Sequence, residues 1–388
     1  MDLGGLRYRD REVTDVRPTE VDPSERPVVL IWELTQACDL ACKHCRAEAE
    51  DLRHPDELTT EEGKQLLADA AEFGDDQLVV LSGGDPLYRD DVAELVEYGT
   101  DQGLRMTLTP SGTASLTPER IDDLASAGLR RMAVSLDGPD AESHDEFRQE
   151  DGSFEQTVTA ARAARDRGLP LQVNTTVCGE TIDDLPAIAD LVADLGAVLW
   201  SVFFLVPIGR GTVLDPITPD RAEEAMEWLT GVQREAEFGI KTTEAPHYRR
   251  VALQKRQVGS GGEPPAGGKP DSSSGDRSTG ITAGNGFAFV SHTGEVFPSG
   301  FLPESAGSVR DRTVVDIYRN AELFERLRDP DELSGKCGTC EFRFVCGGSR
   351  SRAFATTGDP MASDPLCGYV PDGYDGPLPE SMAENPAD

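Results

Sequence analysis

Lysine is scarce in this 388-residue sequence, which contains only six. Basic residues of both kinds number 37 against 71 acidic residues, so the formal net charge is −34. This deficit of positive charge argues against sequence-independent binding to nucleic acid, because such binding needs a basic surface. The acidic excess is spread along the whole chain and indicates a solvated acidic surface, a composition that we expect of a halophile with a salt-filled cytoplasm.

Long apolar runs are missing as well. No run reaches the roughly 18 apolar residues of a membrane-spanning helix, and residues 1–26 are polar and charged, without the apolar stretch of a signal peptide. The sequence therefore predicts a cytoplasmic protein that does not enter a membrane. Because disulfides are rare in that compartment, we interpret the cysteines as metal ligands. Cys178 is the exception among the eight: it stands alone in the sequence, and we expect it to be a buried apolar side chain.

Three cysteines follow the first apolar run at short spacing. Cys38, Cys42 and Cys45 lie in the segment CDLACKHC, directly after the strand-like run Val28 to Leu34. Three soft thiolates in one loop suit a 4Fe-4S cluster with one iron left open, whereas a structural zinc site needs a fourth ligand close by. A partly used zinc knuckle, or three buried thiols, are the alternatives that spacing alone leaves open.

The chain then alternates short apolar runs with segments of helical periodicity. We predict strands at residues 28–34, 77–82, 105–109, 131–135, 171–176 and 198–205, and helices at residues 59–73, 90–103, 117–128, 153–167, 182–195 and 219–238. Six strand–helix units in succession predict an α/β fold with a parallel sheet and right-handed crossovers, in the form of an open or partial barrel. In such folds the functional site lies at the carboxyl ends of the strands.

The cysteine loop and the turn after the second strand resemble the radical S-adenosylmethionine (SAM) superfamily. That superfamily has a Cys-x3-Cys-x-aromatic-Cys loop after the first strand of a partial (β/α)6 barrel, and His44 occupies the aromatic position here. The segment SGGDP resembles the superfamily's GGEP loop, although by itself it could be an ordinary turn. The resemblance implies that a 4Fe-4S cluster on the three cysteines binds SAM and cleaves it to a 5′-deoxyadenosyl radical.

The same resemblance implies which residues contact the cofactor. In the superfamily, the aromatic position packs near the adenine and the GGEP backbone binds the amino group of SAM. Arg148 matches an arginine near the SAM carboxylate, a contact that suits a guanidinium, although a surface arginine paired with Asp145 or Glu150 explains it equally well. The predicted cofactor-binding residues are His44, Ser82, Gly83, Gly84, Asp85, Ser135, Arg148 and Asn174.

A second cysteine group lies near the end of the chain, in the order Cys337, Cys340, Cys346 and Cys367. Four thiolates can fully coordinate one metal ion, so a structural zinc ribbon is one interpretation. The surroundings also resemble the SPASM extension of radical SAM enzymes, which carries up to two auxiliary clusters. Because Ser299 and Arg350 stand where that extension has cysteines of the inner cluster, the resemblance implies one auxiliary 4Fe-4S cluster, held by these four thiolates.

These segments predict a partial radical SAM barrel followed by a small C-terminal SPASM-like iron–sulfur domain. The expected boundaries are an N-terminal extension at 1–27, the barrel at 28–244, a flexible Gly-, Ser- and Pro-rich linker at 245–285, the auxiliary domain at 286–370 and a tail at 371–388. Two β-rich runs around His292-Thr-Gly294 predict a hairpin at the start of the auxiliary domain.

The C-terminal motifs look most like the heme-biosynthesis branch of the superfamily, which includes Fe-coproporphyrin III synthases and heme d1 biosynthesis proteins. This resemblance implies a tetrapyrrole substrate, oxidative decarboxylation of Fe-coproporphyrin III propionates and an electron donor such as ferredoxin. The candidate cations for the substrate carboxylates are Arg210, Arg343, Arg350 and Arg352, although arginines near such loops also cap carbonyls or pair with acids.

Two other functions are compatible with the sequence. One is a peptide maturase of the radical SAM/SPASM class, although the 27 residues before the first strand are too few for the recognition domain that such enzymes often carry. The other is a non-catalytic iron–sulfur or zinc protein, which would not cleave SAM.

Overall fold

The computed structural model describes residues 22–47, 49–260 and 281–379. Within these residues, ten strands form one sheet in the order β10-β9-β8-β1-β2-β3-β4-β5-β6-β7. The strands are β1 (Val29–Glu33), β2 (Leu78–Ser82), β3 (Arg105–Leu108), β4 (Arg131–Ser135), β5 (Leu171–Val177), β6 (Leu199–Phe204), β7 (Gly239–Thr243), β8 (Phe287–Val290), β9 (Glu295–Phe297) and β10 (Gly307–Ser308).

Twelve α-helices accompany these strands in the described part of the chain. They are α1 (Thr60–Ala71), α2 (Val92–Asp101), α3 (Pro118–Ser126), α4 (Ala141–Arg148), α5 (Ser153–Asp166), α6 (Leu185–Asp194), α7 (Pro219–Glu235), α8 (Tyr248–Ser260), α9 (Val314–Asn320), α10 (Glu322–Arg328), α11 (Gly335–Thr339) and α12 (Arg350–Thr357). No described helix is both long enough and apolar enough to span a bilayer.

Strands β1 to β7 are parallel and follow one another along the chain. The parallel α/β fold expected from the alternating pattern is confirmed. Strand β7 and helix α4 were not among the predicted elements. Strand β7 lies at the edge of the sheet, and its residues are half-buried. Its sequence consists of a glycine, Lys241 and three threonine or isoleucine residues, so it lacks the apolar run that predicts an inner strand.

Strand β8 pairs in parallel with β1, and β9 and β10 continue the sheet in antiparallel fashion. The hairpin expected around Gly294 is thus present, and it extends the barrel sheet itself. Of the segment 245–285 predicted as a flexible linker, residues Tyr248–Ser260 form helix α8, which packs against α7. Residues 261–280 lie outside the described part of the chain.

The pleat of the parallel strands separates the core from an internal cavity. Successive side chains of a strand point to opposite faces of its sheet. In β1, Leu30 and Trp32 are fully buried against the helices, whereas Ile31 between them lines the cavity. The same alternation recurs in β2 to β6, where the outward residues belong to one continuous hydrophobic core. The inward residues line the cavity and include both apolar side chains, such as Leu78 and Phe203, and polar or charged ones, such as Arg105 and Asn174.

Helix α1 approaches β1 so closely that only glycine fits at one position. A Cβ atom on Gly63 would lie 2.4 Å from Cη2 of the fully buried Trp32 side chain. We therefore expect Gly63→Ala to lower the free energy of unfolding by about 1–3 kcal/mol, since the extra methyl group overpacks the core. Chemical denaturation of the purified protein measures this change.

The matched control is Gly231→Ala in helix α7, because a Cβ atom at Gly231 meets nothing within 4 Å. Alanine is the better helix former, so this variant should be as stable as the parent or up to about 1 kcal/mol more stable. Equal effects of the two substitutions would contradict the packing argument.

Candidate active site

The cysteine loop is held by the backbone of the SGGDP turn that follows β2. Gly84 N donates to Thr35 O and Asp85 N donates to Ala37 O, each at a distance of 2.7 Å. A Cβ atom would lie 2.6 Å from Thr35 O if added to Gly83, and 2.4 Å from Ala37 O if added to Gly84. The two glycines are therefore required by the close approach of two backbones, and the GGDP segment is more than an ordinary turn.

Asp85 supports this turn without lining the cavity. Its buried carboxylate accepts hydrogen bonds from Leu87 N at 3.1 Å, Thr113 Oγ1 at 2.7 Å and Ser115 Oγ at 3.0 Å. Ser82, Gly83 and Gly84 do line the cavity. Because the Asp85 carboxylate is directed to these protein donors, it stabilises the turn. The structure does not support a direct contact between this side chain and a cofactor.

The three cysteines of the loop face the same cavity. Cys42 is buried, and Cys38 and Cys45 are partly exposed. Burial raises the pKa of Cys38 to about 11, against weaker opposing hydrogen bonds from Ser111 and Leu40, and burial likewise raises the pKa of Cys42. The thiols of Cys38 and Cys42 are thus protonated at neutral pH unless a metal centre replaces the protons. Three thiols on one loop at a cavity wall fit the donor set of a cluster with one open iron.

Arg148 is buried beside the cysteine loop, so its interpretation as a surface residue is wrong. Its Nη2 lies 2.6 Å from Asp137 Oδ2, and its Nη1 donates to Cys42 Sγ at 3.6 Å. Burial alone would lower the pKa of Arg148, but Asp137 and Cys42 together outweigh the effect of burial, and the net pKa is raised. The same competition acts on Asp137. Burial raises the pKa of its carboxyl group, but Arg148, as the largest of the opposing influences, helps to bring the net pKa below the ordinary value. The pair is therefore charged at neutral pH.

His44 is half-buried and stacks on Phe147, with ring centroids 5.0 Å apart. Burial lowers the pKa of His44 to about 4, so the ring is neutral at physiological pH. Its Nδ1 is buried and has no hydrogen-bond partner in the described part of the chain. Both the apolar stacking and this open nitrogen suit a ligand against the ring.

Ser135 and Asn174 both line the cavity, but Asn174 is not at the end of its strand. It lies in the middle of β5, level with Ser135 in β4 and Ser201 in β6. Its Oδ1 accepts a hydrogen bond from Gln172 Nε2 at 2.7 Å. Strand β5 continues for three more residues beyond Asn174, to Val177.

The cavity has a volume of about 640 Å³ and runs through the barrel from the cysteine loop toward the amino ends of the strands. Its size is that of a small-molecule site. Eight cationic side chains line it: Arg26, Arg46, Arg105, Arg131, Arg148, Arg210, Lys241 and Arg249. The carboxylates in its wall are Asp76, Asp137 and Glu244. The excess of cationic side chains in the cavity wall contrasts with the net charge of −34 of the whole protein.

Of the four arginines predicted for substrate carboxylates, the structure places only Arg210 in the cavity wall. Arg343 stacks on Phe344 and pairs with Asp331. Arg350 donates to the carbonyls of Pro360 and Ala362, and Arg352 to carbonyls of residues 204, 205 and 244 and to Asp364. The last two act as carbonyl caps, which was the alternative interpretation, so the substrate assignment is corrected for all three.

Most of the cavity cations are not among the site residues predicted from the sequence. Arg105 and Arg131 are each the first residue of a strand, a position where an arginine predicts only a solvated strand end. The signal available was strand alternation, since Arg105 and Thr107, like Arg131 and Ala133, share the inward face. Which face was core and which was cavity could not be read without the fold.

Glu244 was also missed. It adopts a left-handed backbone conformation, with φ of 55°. Its carboxylate accepts hydrogen bonds from three serine hydroxyls, Ser299 at 3.1 Å, Ser349 at 2.5 Å and Ser351 at 2.9 Å. Ser299 thus hydrogen-bonds to a carboxylate at a position where the SPASM pattern has a cysteine. Glu244 ties the end of β7 to the hairpin and to the start of α12.

The second cysteine group surrounds a separate small pocket, which Cys337, Cys340, Cys346 and Cys367 line together. Cationic groups approach the sulfurs, with Arg350 Nη2 3.8 Å from Cys337 Sγ and Arg250 Nη2 4.0 Å from Cys367 Sγ. Among residues 22–47, 49–260 and 281–379, no three Cys, His, Asp or Glu side chains are grouped to hold a single metal ion. Four thiols around a pocket with nearby cations fit the donor set of an iron–sulfur cluster.

The buried pair of Asp137 and Arg148 yields a stability prediction. Asp137→Asn removes one charge and leaves the guanidinium buried without its counter-ion, which should lower the free energy of unfolding by about 3–5 kcal/mol. Urea denaturation measures the loss. Asp122→Asn, which breaks an exposed pair with Arg167, is the control and should leave the stability nearly unchanged. Equal stability of Asp137→Asn and the parent would contradict the assigned pairing.

The amino-acid sequence matches a known protein family and several known enzymes. Residues 32–192 match the model of the Radical SAM superfamily. The AdoMet-dependent heme synthase of Methanosarcina barkeri is 42% identical over 346 residues, which cover 89% of this chain and 97% of that protein. The PqqA peptide cyclase of Bradyrhizobium diazoefficiens is 30% identical over 361 residues, covering 89% of this chain and 88% of the cyclase.

The fold also matches solved structures. The crystal structure of Streptococcus suis SuiB bound to S-adenosylmethionine superposes with a TM-score of 0.68 at 16% identity, covering 89% of this chain and 78% of SuiB. That likeness supports the fold alone. The sequence relatives are enzymes, so the interpretation as a non-catalytic metal protein is wrong. The chain belongs to the radical SAM superfamily of enzymes, and its relatives include heme synthases of that superfamily.

Proposed function

We propose that this protein converts two propionate side chains of Fe-coproporphyrin III to vinyl groups, with SAM as the co-substrate. The observation that carries the proposal is the cationic cavity beneath the cysteine loop. Fe-coproporphyrin III carries four carboxylates, and an acidic protein needs local cations to bind it. Arginine suits this task because its planar fork binds a carboxylate through two hydrogen bonds.

Arg210 is the cation best placed to receive a ligand near the cysteine loop. Its backbone N donates to Cys45 O and its Nε to Cys42 O, both at 2.9 Å. Its Nη2 is buried and has no hydrogen-bond partner among the described residues. Since a buried guanidinium nitrogen is costly to leave unpaired, this atom supports binding of an anionic or carbonyl group of the substrate.

The residues that would hold the cofactors are on the same wall. Cys38, Cys42 and Cys45 would bind the 4Fe-4S cluster. Ser82 to Gly84, Ser135, Asn174 and His44 line the cavity and would contact SAM there. When bound, the cluster and SAM would supply a 5′-deoxyadenosyl radical, which would take a hydrogen atom from the β-carbon of a propionate. Arg148, held by Asp137, keeps a positive charge beside Cys42 and orients that part of the loop.

The reaction balances with one electron left over. Loss of a hydrogen atom from the propionate β-carbon, followed by cleavage of the bond to the carboxylate, gives a vinyl group, carbon dioxide and one electron. A one-electron acceptor is therefore needed for each propionate. A cluster held by Cys337, Cys340, Cys346 and Cys367 would supply that acceptor, and a ferredoxin-like protein would serve as the reductant for SAM cleavage.

Peptide modification is the second candidate function, favoured by the 30% identity to a PqqA peptide cyclase. The heme synthase is more similar, at 42% identity. A peptide substrate offers amide groups for most of its length and gives no reason for eight cations in one cavity, whereas a tetracarboxylate does. The tetrapyrrole assignment is therefore the better supported of the two.

The proposal is tested by an anaerobic reaction of the reconstituted protein with SAM, a reductant and Fe-coproporphyrin III. We expect the porphyrin to lose two carboxyl groups in step with formation of 5′-deoxyadenosine, as measured by mass spectrometry and chromatography. Formation of 5′-deoxyadenosine with an unchanged porphyrin would overturn the substrate assignment and leave SAM cleavage intact.

Substitutions in the two cysteine groups should separate their roles. Cys42→Ala should abolish 5′-deoxyadenosine formation, whereas Cys340→Ala should retain it but form little vinyl product, because the electron acceptor is lost. The control is Cys178→Ala, since Cys178 is buried beside Phe147 and Leu214 and belongs to neither group. Product formation by Cys340→Ala at the parent rate would exclude an essential acceptor at that site.

A further inference from the structure

Two of the cavity cations lie at its far end from the cysteine loop. Arg105 is the first residue of β3 and Arg131 the first residue of β4, and both line the cavity. The cysteine loop and the SGGDP turn are at the opposite, carboxyl ends of these parallel strands. From Arg131 to Ser135 the strand advances four residues, or roughly 13 Å. We call Arg105 and Arg131 together the cavity floor.

The strand register brings the two floor arginines together. Arg131 lies opposite Thr107, which is two residues beyond Arg105 on the neighbouring strand. They are therefore diagonal neighbours on one face of the sheet, close enough for long side chains to meet. Two guanidiniums in this relation can donate hydrogen bonds to the same carboxylate.

The floor has one further cation and one carboxylate near it among the cavity-lining residues. Arg26 also lines this end of the cavity, and its Nε donates to Gln77 Oε1 at 3.0 Å. Asp76 is the carboxylate of the wall in this region. Arg105 and Arg131 each have interactions within the protein, but a guanidinium has five N–H donors and can bind a carboxylate as well.

The cavity is thus cationic at two separated levels. Arg210 is beside the cysteine loop, and the floor is at the opposite ends of the strands, which are roughly 13 Å long in the case of β4. This separation is comparable to the span of a porphyrin with propionates on opposite sides. The reacting propionate must lie near the cysteine loop, where SAM would be bound. A second carboxylate of the same molecule then reaches the floor.

We propose that Arg105 and Arg131 bind the propionates that the reaction leaves intact, and so set the orientation in which the tetrapyrrole enters the cavity. This inference rests on the proposed function. Its consequence is a specific pattern of affinity. The floor contacts are the same in the substrate and in the divinyl product, whereas the contacts near the cysteine loop are lost when the product forms.

The test is equilibrium binding of iron porphyrins without SAM or reductant, followed by the Soret absorbance. Arg105→Gln and Arg131→Gln should each weaken binding of Fe-coproporphyrin III about tenfold to a hundredfold, the loss expected for one charge-assisted contact. Both should weaken binding of the divinyl product, protoheme, by the same factor. The tetramethyl ester of Fe-coproporphyrin III has no carboxylates and should bind the parent and both variants equally.

Two further variants make the comparison specific. Arg210→Gln should weaken binding of Fe-coproporphyrin III more than binding of protoheme, because it removes a contact at the reacting end. Arg312→Gln alters a solvent-exposed pair with Asp316 on helix α9 and should change neither affinity. If the glutamine variants at the floor do not fold, Arg105→Lys and Arg131→Lys keep the charge and lose the bidentate contact, and a smaller but selective loss for the carboxylate ligands is expected.

Failure of this inference is distinguishable from failure of the proposed function. If the parent protein decarboxylates Fe-coproporphyrin III but the floor variants bind it as tightly as the parent, only the floor assignment is wrong. A floor variant that loses affinity for the tetramethyl ester as well would also overturn it, since the loss would then be structural. If the parent converts no Fe-coproporphyrin III, the proposed function itself fails.

Discussion

The pleat of the β-strand is the constraint on which the rest of this structure depends. Because alternate side chains point to opposite faces, a single strand such as β4 supplies both Met132 and Val134 to the core and Arg131, Ala133 and Ser135 to the cavity. The core side is apolar and continuous. The cavity side can therefore be polar and charged without loss of packing, and a shift of one residue in register would exchange the two faces.

Electrostatics reinforce this division. The surface carries the large acidic excess of the chain, which favours solvation, while the cavity concentrates arginines. Burial is unfavourable for a charged group unless a counter-ion or ligand compensates it. For Arg148 that counter-ion is Asp137, and Arg46 pairs with the buried Glu33 while its guanidinium lies over the Phe289 ring. Arg210 Nη2 has no hydrogen-bond partner among the described residues, which makes its part of the interior suitable for an anionic ligand.

The C-terminal region completes the barrel wall. Strand β8 lies beside β1, and His292 on the following turn hydrogen-bonds to Glu33 at 2.9 Å. The serine hydroxyls around Glu244 connect the hairpin and α12 to the end of β7. The two cysteine groups thus sit in one framework, joined by short polar contacts.

The sequence by itself determined the family, the parallel α/β class and the two cysteine groups, since these depend on local spacing and on patterns of apolar residues that survive without three-dimensional information. Only the tertiary structure decided which arginines face the cavity. Arg343, Arg350 and Arg352 are adjacent to cysteines in the chain but point to carbonyls and acids. Arg105 and Arg131 are far from every motif and reach the cavity because of strand register. Side-chain direction within a sheet is set by pairing between distant segments, and local sequence does not contain that information.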